Sequence, residues 1–105
     1  LDVTVATEKA SYGMQEAFQD GVRVTVTVKY LDGTPVEGAT VTVDWTRSVV
    51  LTFSHGTTSG TTDAAGVATI VAPKEATLFG QYSILARAAA PGNSGAVYGA
   101  YSVGL

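Results

Sequence analysis

Cysteine is absent from this chain of 105 residues, which excludes a disulfide framework and any thiolate metal site. Histidine occurs once, at His55, so no multi-histidine metal centre can form within one chain. Charge is scarce: Asp, Glu, Lys and Arg together make up 14%, against about 25% in an ordinary soluble domain. Lys9, Arg23, Lys29, Arg47, Lys74 and Arg87 are scattered singly, and the net charge is −3. Phosphate backbones need clustered cations, so nucleic acid is not an expected partner. No apolar run reaches the length of a membrane span and no basic amphipathic helix is visible, so membrane insertion is not expected.

Valine, threonine, glycine, serine and alanine fill the space left by charge. An apolar share of 46% supports a real core, and the length suits one domain, 1–105, that folds without staples. Threonine suits exposed strand faces, because its β-branch fits the pleat and its hydroxyl meets water. The chain begins at Leu1 with no initiator methionine, and it is expected to be a mature fragment or a domain from a larger multidomain protein.

Period-two alternation identifies the strands. Val22, Val24, Val26, Val28 and Tyr30 share one face, while Arg23, Thr25, Thr27 and Lys29 share the other. A slip of one residue would invert every side chain, so this register is strongly specified. Val41, Val43 and Trp45 point inward beyond the turn Asp32-Gly33-Thr34-Pro35-Val36-Glu37-Gly38. A second punctuation, Thr62-Asp63-Ala64-Ala65-Gly66, precedes a strand from Gly66 to Ala72. Val3 and Val5 begin the first strand, Val49 to Phe53 reads as another, and Tyr82, Ile84 and Ala86 mark a late one. Pro91-Gly92-Asn93-Ser94-Gly95 is a turn, and Val97 to Val103 closes the chain. Gly13 to Phe18 reads as a loop or a single helical turn pinned by Tyr12 or Phe18, and Ser54 to Gly60 as a loop or polar edge. About seven short strands at this spacing predict an all-β, Ig-like antiparallel sandwich. The expected core is Val24, Val26, Val41, Val43, Trp45, Tyr82 and Ile84, and the expected structural turns use Asp32, Gly33, Pro35, Gly38, Asp63 and Gly66.

Asp20-Gly21 before a strand, Asp32 to Val43, Thr62 to Ile70 and Gly80-Gln81-Tyr82-Ser83-Ile84 together resemble bacterial Ig-like domains of the invasin and intimin type. The resemblance covers residues 20 to 88. Lys9-Ala10-Ser11-Tyr12 followed by Asp20-Gly21-Val22-Arg23-Val24 is similar to the opening of macroglobulin-type domains, with a longer segment after Tyr12. Both resemblances imply a non-enzymatic module in a cell-surface or secreted protein. Its implied partners are neighbouring domains of the same polypeptide, with a host or cell-surface protein or glycan as a further candidate. Leu78 to Tyr82 and Ala90-Pro91-Gly92 resemble adhesin stalk domains that form Lys–Asn isopeptide bonds. Lys9 and Asn93 are present, but Arg87 stands where that family carries its proton-shuttling acid, so no such bond is expected.

Single residues with a chemical reading all have a plainer one. His55 beside Gly56 reads as a solvated loop histidine, and no nucleophile-elbow pattern surrounds any serine, Ser54 included. Trp45 reads as a core tryptophan rather than a sugar platform, because it alternates with Val41 and Val43. Tyr82 reads as a tyrosine corner whose hydroxyl ties a loop backbone. Tyr98 and Tyr101, three apart, face opposite sides, which exposes one ring. Asp32, Asp44 and Asp63 read as turn residues bonding their own backbone rather than calcium ligands, and Gly56 and Gly60 lack the helix and lysine of a phosphate loop. The expected function is a structural or adhesive spacer, with an accessory glycan-binding module as the alternative, and no cofactor.

Overall fold

A computed structural model describes residues 1–105. Eight strands form two sheets: β1 (Asp2–Thr7), β2 (Ser11–Gly13), β3 (Arg23–Lys29), β4 (Thr40–Val49), β5 (Thr52–Thr61), β6 (Val67–Val71), β7 (Gly80–Ala90) and β8 (Asn93–Gly104). One helix, α1 (Met14–Asp20), follows β2, and a 3-10 turn spans Lys74–Thr77. The smaller sheet has the order β1-β3-β6 and the larger β2-β8-β7-β4-β5. Every pairing is antiparallel except the short parallel one between β2 and β8. The first segment of chain thus serves both sheets, β1 in one and β2 in the other. The result is an all-β sandwich of immunoglobulin-like strand order.

Alternation builds the core. Val24, Val26 and Val28 from β3 face Val41 and Val43 from β4 and Ile84, Ala86 and Ala88 from β7, all of them buried. Burying one such side chain contributes about 1.5–3 kcal/mol. Val22 is buried just ahead of β3, but Tyr30 is 41% exposed, against the sequence reading. β3 stops at Lys29 because the chain then folds on itself: Gly33 N–H donates to Tyr30 O at 2.9 Å and Tyr30 N–H to Thr34 O at 2.8 Å.

The turns are held from within. Asp32 Oδ1 accepts from Thr34 N–H at 2.9 Å, and Asp63 Oδ1 accepts from Ala65 and Val67 N–H at 2.9 and 3.0 Å. Gly66 has φ +77, and a Cβ there would stand 2.5 Å from Val28 O. Val28 N–H donates to Gly66 O at 2.8 Å, so this turn clamps onto β3 and only glycine fits. Buried Thr62 completes the clamp, its hydroxyl donating to Val36 O at 2.6 Å and accepting from Ala39 N–H at 2.9 Å.

The region from Val49 to Gly60 differs from the sequence reading. Val49–Phe53 is not a strand: Val49 pairs with Thr52 across a two-residue turn, Val50-Leu51. Ser54–Gly60 lies within the ten-residue edge strand β5, which pairs only with β4, so the polar-edge alternative holds and the loop does not. Val50 takes φ +53, a region where a β-branched residue is strained. Glycine normally marks such a turn, and its absence here explains the misreading.

β7 and β8, of eleven and twelve residues, outrun β3 and β6, of seven and five. The overhang is roofed by α1 and the 3-10 turn. α1 is longer than a single turn and presents Ala17 to the interior, while Phe18 is 51% exposed. Tyr12 is therefore the pin. α1 ends at Gly21, with φ +82, whose N–H donates to Ala17 O at 3.0 Å.

Candidate functional site

Beneath the roof an aromatic row crosses the inner face of the larger sheet. Trp45, Tyr82, Tyr101 and Tyr12 come from β4, β7, β8 and β2. The Trp45 and Tyr82 rings are 6.4 Å apart, Tyr82 and Tyr101 stack at 4.6 Å, and Tyr101 meets Tyr12 edge-on at 6.1 Å. Their hydroxyls are committed to backbone. Tyr82 donates to Leu78 O at 2.6 Å and Tyr101 to Ala76 O at 2.7 Å, while Tyr12 accepts from Lys9 N–H at 3.1 Å. Arg47 Nε joins them, donating to Phe79 O at 2.7 Å. Burial pushes the Tyr101 phenol well above the ordinary tyrosine range, reinforced by Tyr82 and Tyr12. Burial raises Tyr82 too, partly opposed by Arg47. The Tyr82 and Tyr101 phenols are thus held neutral as donors, and all three tyrosines are buried, too deep to meet a ligand.

Trp45 is 6% exposed. Its indole lies across Gly56 of β5, where a Cβ would come within 2.5 Å of Trp45 Cζ2. The indole N–H is enclosed with no acceptor in reach. A sugar platform centred on Trp45 is incompatible with this position. Val24, Val26, Val41, Val43, Tyr82 and Ile84 are all buried. Asp32, Gly33, Pro35, Gly38, Asp63 and Gly66 lie in the connections after β3 and β5, with Pro35 bridging Lys29.

The open surface with the most chemistry is the outer face of the larger sheet. Thr57, Asp44, Leu85 and Tyr98 form one row across β5, β4, β7 and β8. Tyr98 is 76% exposed whereas Tyr101 is buried, as their spacing predicts. Asp44 pairs with Arg87 at 2.7 Å and accepts from the Thr57 hydroxyl at 2.8 Å. It is a mid-strand residue, so its reading as a turn aspartate is corrected. Beside this row lies an open depression of about 440 Å³ lined by Thr40, Thr42, Arg87, Ala89, Ser94 and Ala96. Such a face can stack a ring on Tyr98 and hydrogen-bond through hydroxyls and the ion pair. It holds no nucleophile with a base.

Other candidates stay apart. His55 is exposed on β5, opposite Thr46, rather than in a loop, and neighbouring Ser54 points to the other face of the sheet. Asp63 lies beyond the far end of β5. No three histidine, aspartate or glutamate side chains converge. Lys9 pairs with Glu16 ahead of β2, which adjoins Ser102–Gly104. Asn93 starts β8 at the opposite end, after the Pro91-Gly92 turn, so the two isopeptide candidates do not meet. The structural roles of Tyr101, Arg47, Thr62 and Gly56 are absent from the sequence reading. Tyr101 shares parity with Val97 and Val103, which was a usable signal.

Fold and surface together define an eight-stranded sandwich with committed phenols inside and one shallow polar face outside. No family model, curated protein or solved structure matches the chain.

Proposed function

We propose that this domain is a non-catalytic spacer or stalk unit of a larger microbial surface or secreted polypeptide. The carrying observation is where the chain enters and leaves. The Leu1 backbone nitrogen donates to Ser94 O at 2.8 Å, beside the β7–β8 turn. Leu105 follows β8 at the opposite pole of a body measuring 42 × 26 × 17 Å. Force applied to the two termini pulls β2 and β8 in opposite directions along their strand axes, across the hydrogen bonds of their parallel pairing. Those bonds then shear together instead of opening one by one. The resemblance of residues 20 to 88 to surface Ig-like domains supports the same reading.

The test is the shape of a tandem. Three copies joined directly at Leu105–Leu1 are expected to lengthen by about the long axis, 42 Å, per added copy in small-angle scattering. A folded-back tandem no longer than two copies would contradict a spacer. One observation favours a second reading, an accessory glycan-binding module: Tyr98 stands exposed in the same row of the sheet face as the Asp44–Arg87 ion pair and the Thr57 hydroxyl. Glycan screening distinguishes it, because binding abolished by Tyr98→Ala would select this reading.

A further inference from the structure

Natural sheets protect their edges by shortness, charge, proline or cover. Three edges here are protected in these ways or nearly so: β2 has three residues, β6 has five, and β1 has six with Asp2 at its start. β5 has none of these devices. It is ten residues long, reads Thr-Phe-Ser-His-Gly-Thr-Thr-Ser-Gly-Thr, and carries no Lys, Arg, Asp, Glu or Pro. Its register with β4 runs unbroken from Thr40↔Thr61 to Val49↔Thr52, so no bulge turns the edge away.

The hydrogen-bond phase of β5 is set at both ends. Thr62 N–H donates to Ala39 O, and the two-residue turn makes Val49 and Thr52 a bonded pair. Even-numbered residues therefore bond to β4. Backbone groups of Phe53, His55, Thr57, Ser59 and Thr61 face outward with nothing bound to them in the sheet. We propose that β5 is a self-association edge, pairing antiparallel with β5 of a second copy about a two-fold axis at Thr57.

That register brings outward-facing residues together as bonded pairs: Thr57 with Thr57, His55 with Ser59, and Phe53 with Thr61 of the second copy. No other axis residue uses all five. A second copy is favoured over a charged partner because the edge carries no Lys, Arg, Asp or Glu and the two-fold register sets His55 against Ser59 rather than against its own copy, so no like charges oppose each other. Threonine facing threonine is a favourable cross-strand pair. The nearest charges, the two copies of Asp44, lie three strand spacings apart, about 14 Å, beyond a screening length of about 8 Å. Each is already paired with its own Arg87.

The cysteine-free background makes the register directly readable. In a bonded antiparallel pair the Cα atoms are about 5.5 Å apart, inside the range of about 4.4–6.8 Å that a disulfide spans. Under mild oxidation Thr57→Cys is expected to form a covalent dimer. Ser59→Cys alone is expected to stay uncrosslinked, and to crosslink when mixed with His55→Cys. Sedimentation of the unmodified chain is expected to give twice the 10.7 kDa monomer mass as concentration rises, and Thr57→Lys to return it to monomer. A chain that stays monomeric at every concentration, or one whose Ser59→Cys crosslinks as readily as Thr57→Cys, overturns the proposal. Should Thr57→Lys fail to fold, the cysteine pattern decides.

Discussion

The two ends of the domain are closed by different means. Where the smaller sheet lies over the larger, branched aliphatics interlock, and the hydrogen bonds outside the ladders belong to the turns at Val36, Thr62 and Gly66. Where β7 and β8 run on past β3 and β6, the covering layer is a seven-residue helix and one 3-10 turn. A helix that short has little stability of its own. It buries small groups, Ala17, Ala76 and Thr77, and is held by phenols reaching up from the sheet to Leu78 O and Ala76 O. The first end illustrates area removed from water. The second illustrates directed hydrogen bonds whose loss leaves a buried carbonyl without a donor.

Four changes separate the ends. Ile84→Ala empties the interlocked end and is expected to cost about 3 kcal/mol in chemical denaturation, with one cooperative transition. Tyr101→Phe keeps the ring but orphans Ala76 O; a loss of about 2 kcal/mol is expected, with selective loosening of Lys74–Thr77 seen by NMR. A third change is pH. Tyr101 and Tyr82 have raised pKa values when folded and titrate near pH 10 when unfolded. As pH rises the unfolded chain releases its protons first, so their contribution is complete below about pH 10 and fades above it. Melting temperature should fall through the alkaline range, and less steeply in Tyr101→Phe. Smallest is a gain: Val50→Gly relieves the positive φ at the hairpin tip and should stabilise by about 1 kcal/mol, leaving both ends otherwise unchanged in the same denaturation assay.

How much could be read beforehand follows the same division. The valines of β3 and β4 and the glycine turns carry their information locally, in a period of two and in positive φ, and both were legible. β5 was not, because its glycine at 56 answers to an indole eleven residues away rather than to a turn. The Val50-Leu51 hairpin has no residue that announces a reversal. The roof depends on Tyr101 reaching a carbonyl twenty-five positions earlier, which no local pattern encodes. Of the candidate surface, the exposure of one of Tyr98 and Tyr101 was foreseeable from their spacing, and the structure shows it to be Tyr98. The Asp44–Arg87–Thr57 cluster beside it was not, since it needs the registers of three strands.

Native-state hydrogen exchange, followed residue by residue, puts the division to its sharpest trial. Amides of α1 and of Lys74–Thr77 are expected to open at clearly lower free energy than those at the centres of β3, β4 and β7, and Tyr101→Phe should widen that gap. Equal protection at both ends, or a Tyr101→Phe effect spread evenly over the whole domain, would show that one undivided core holds the molecule together.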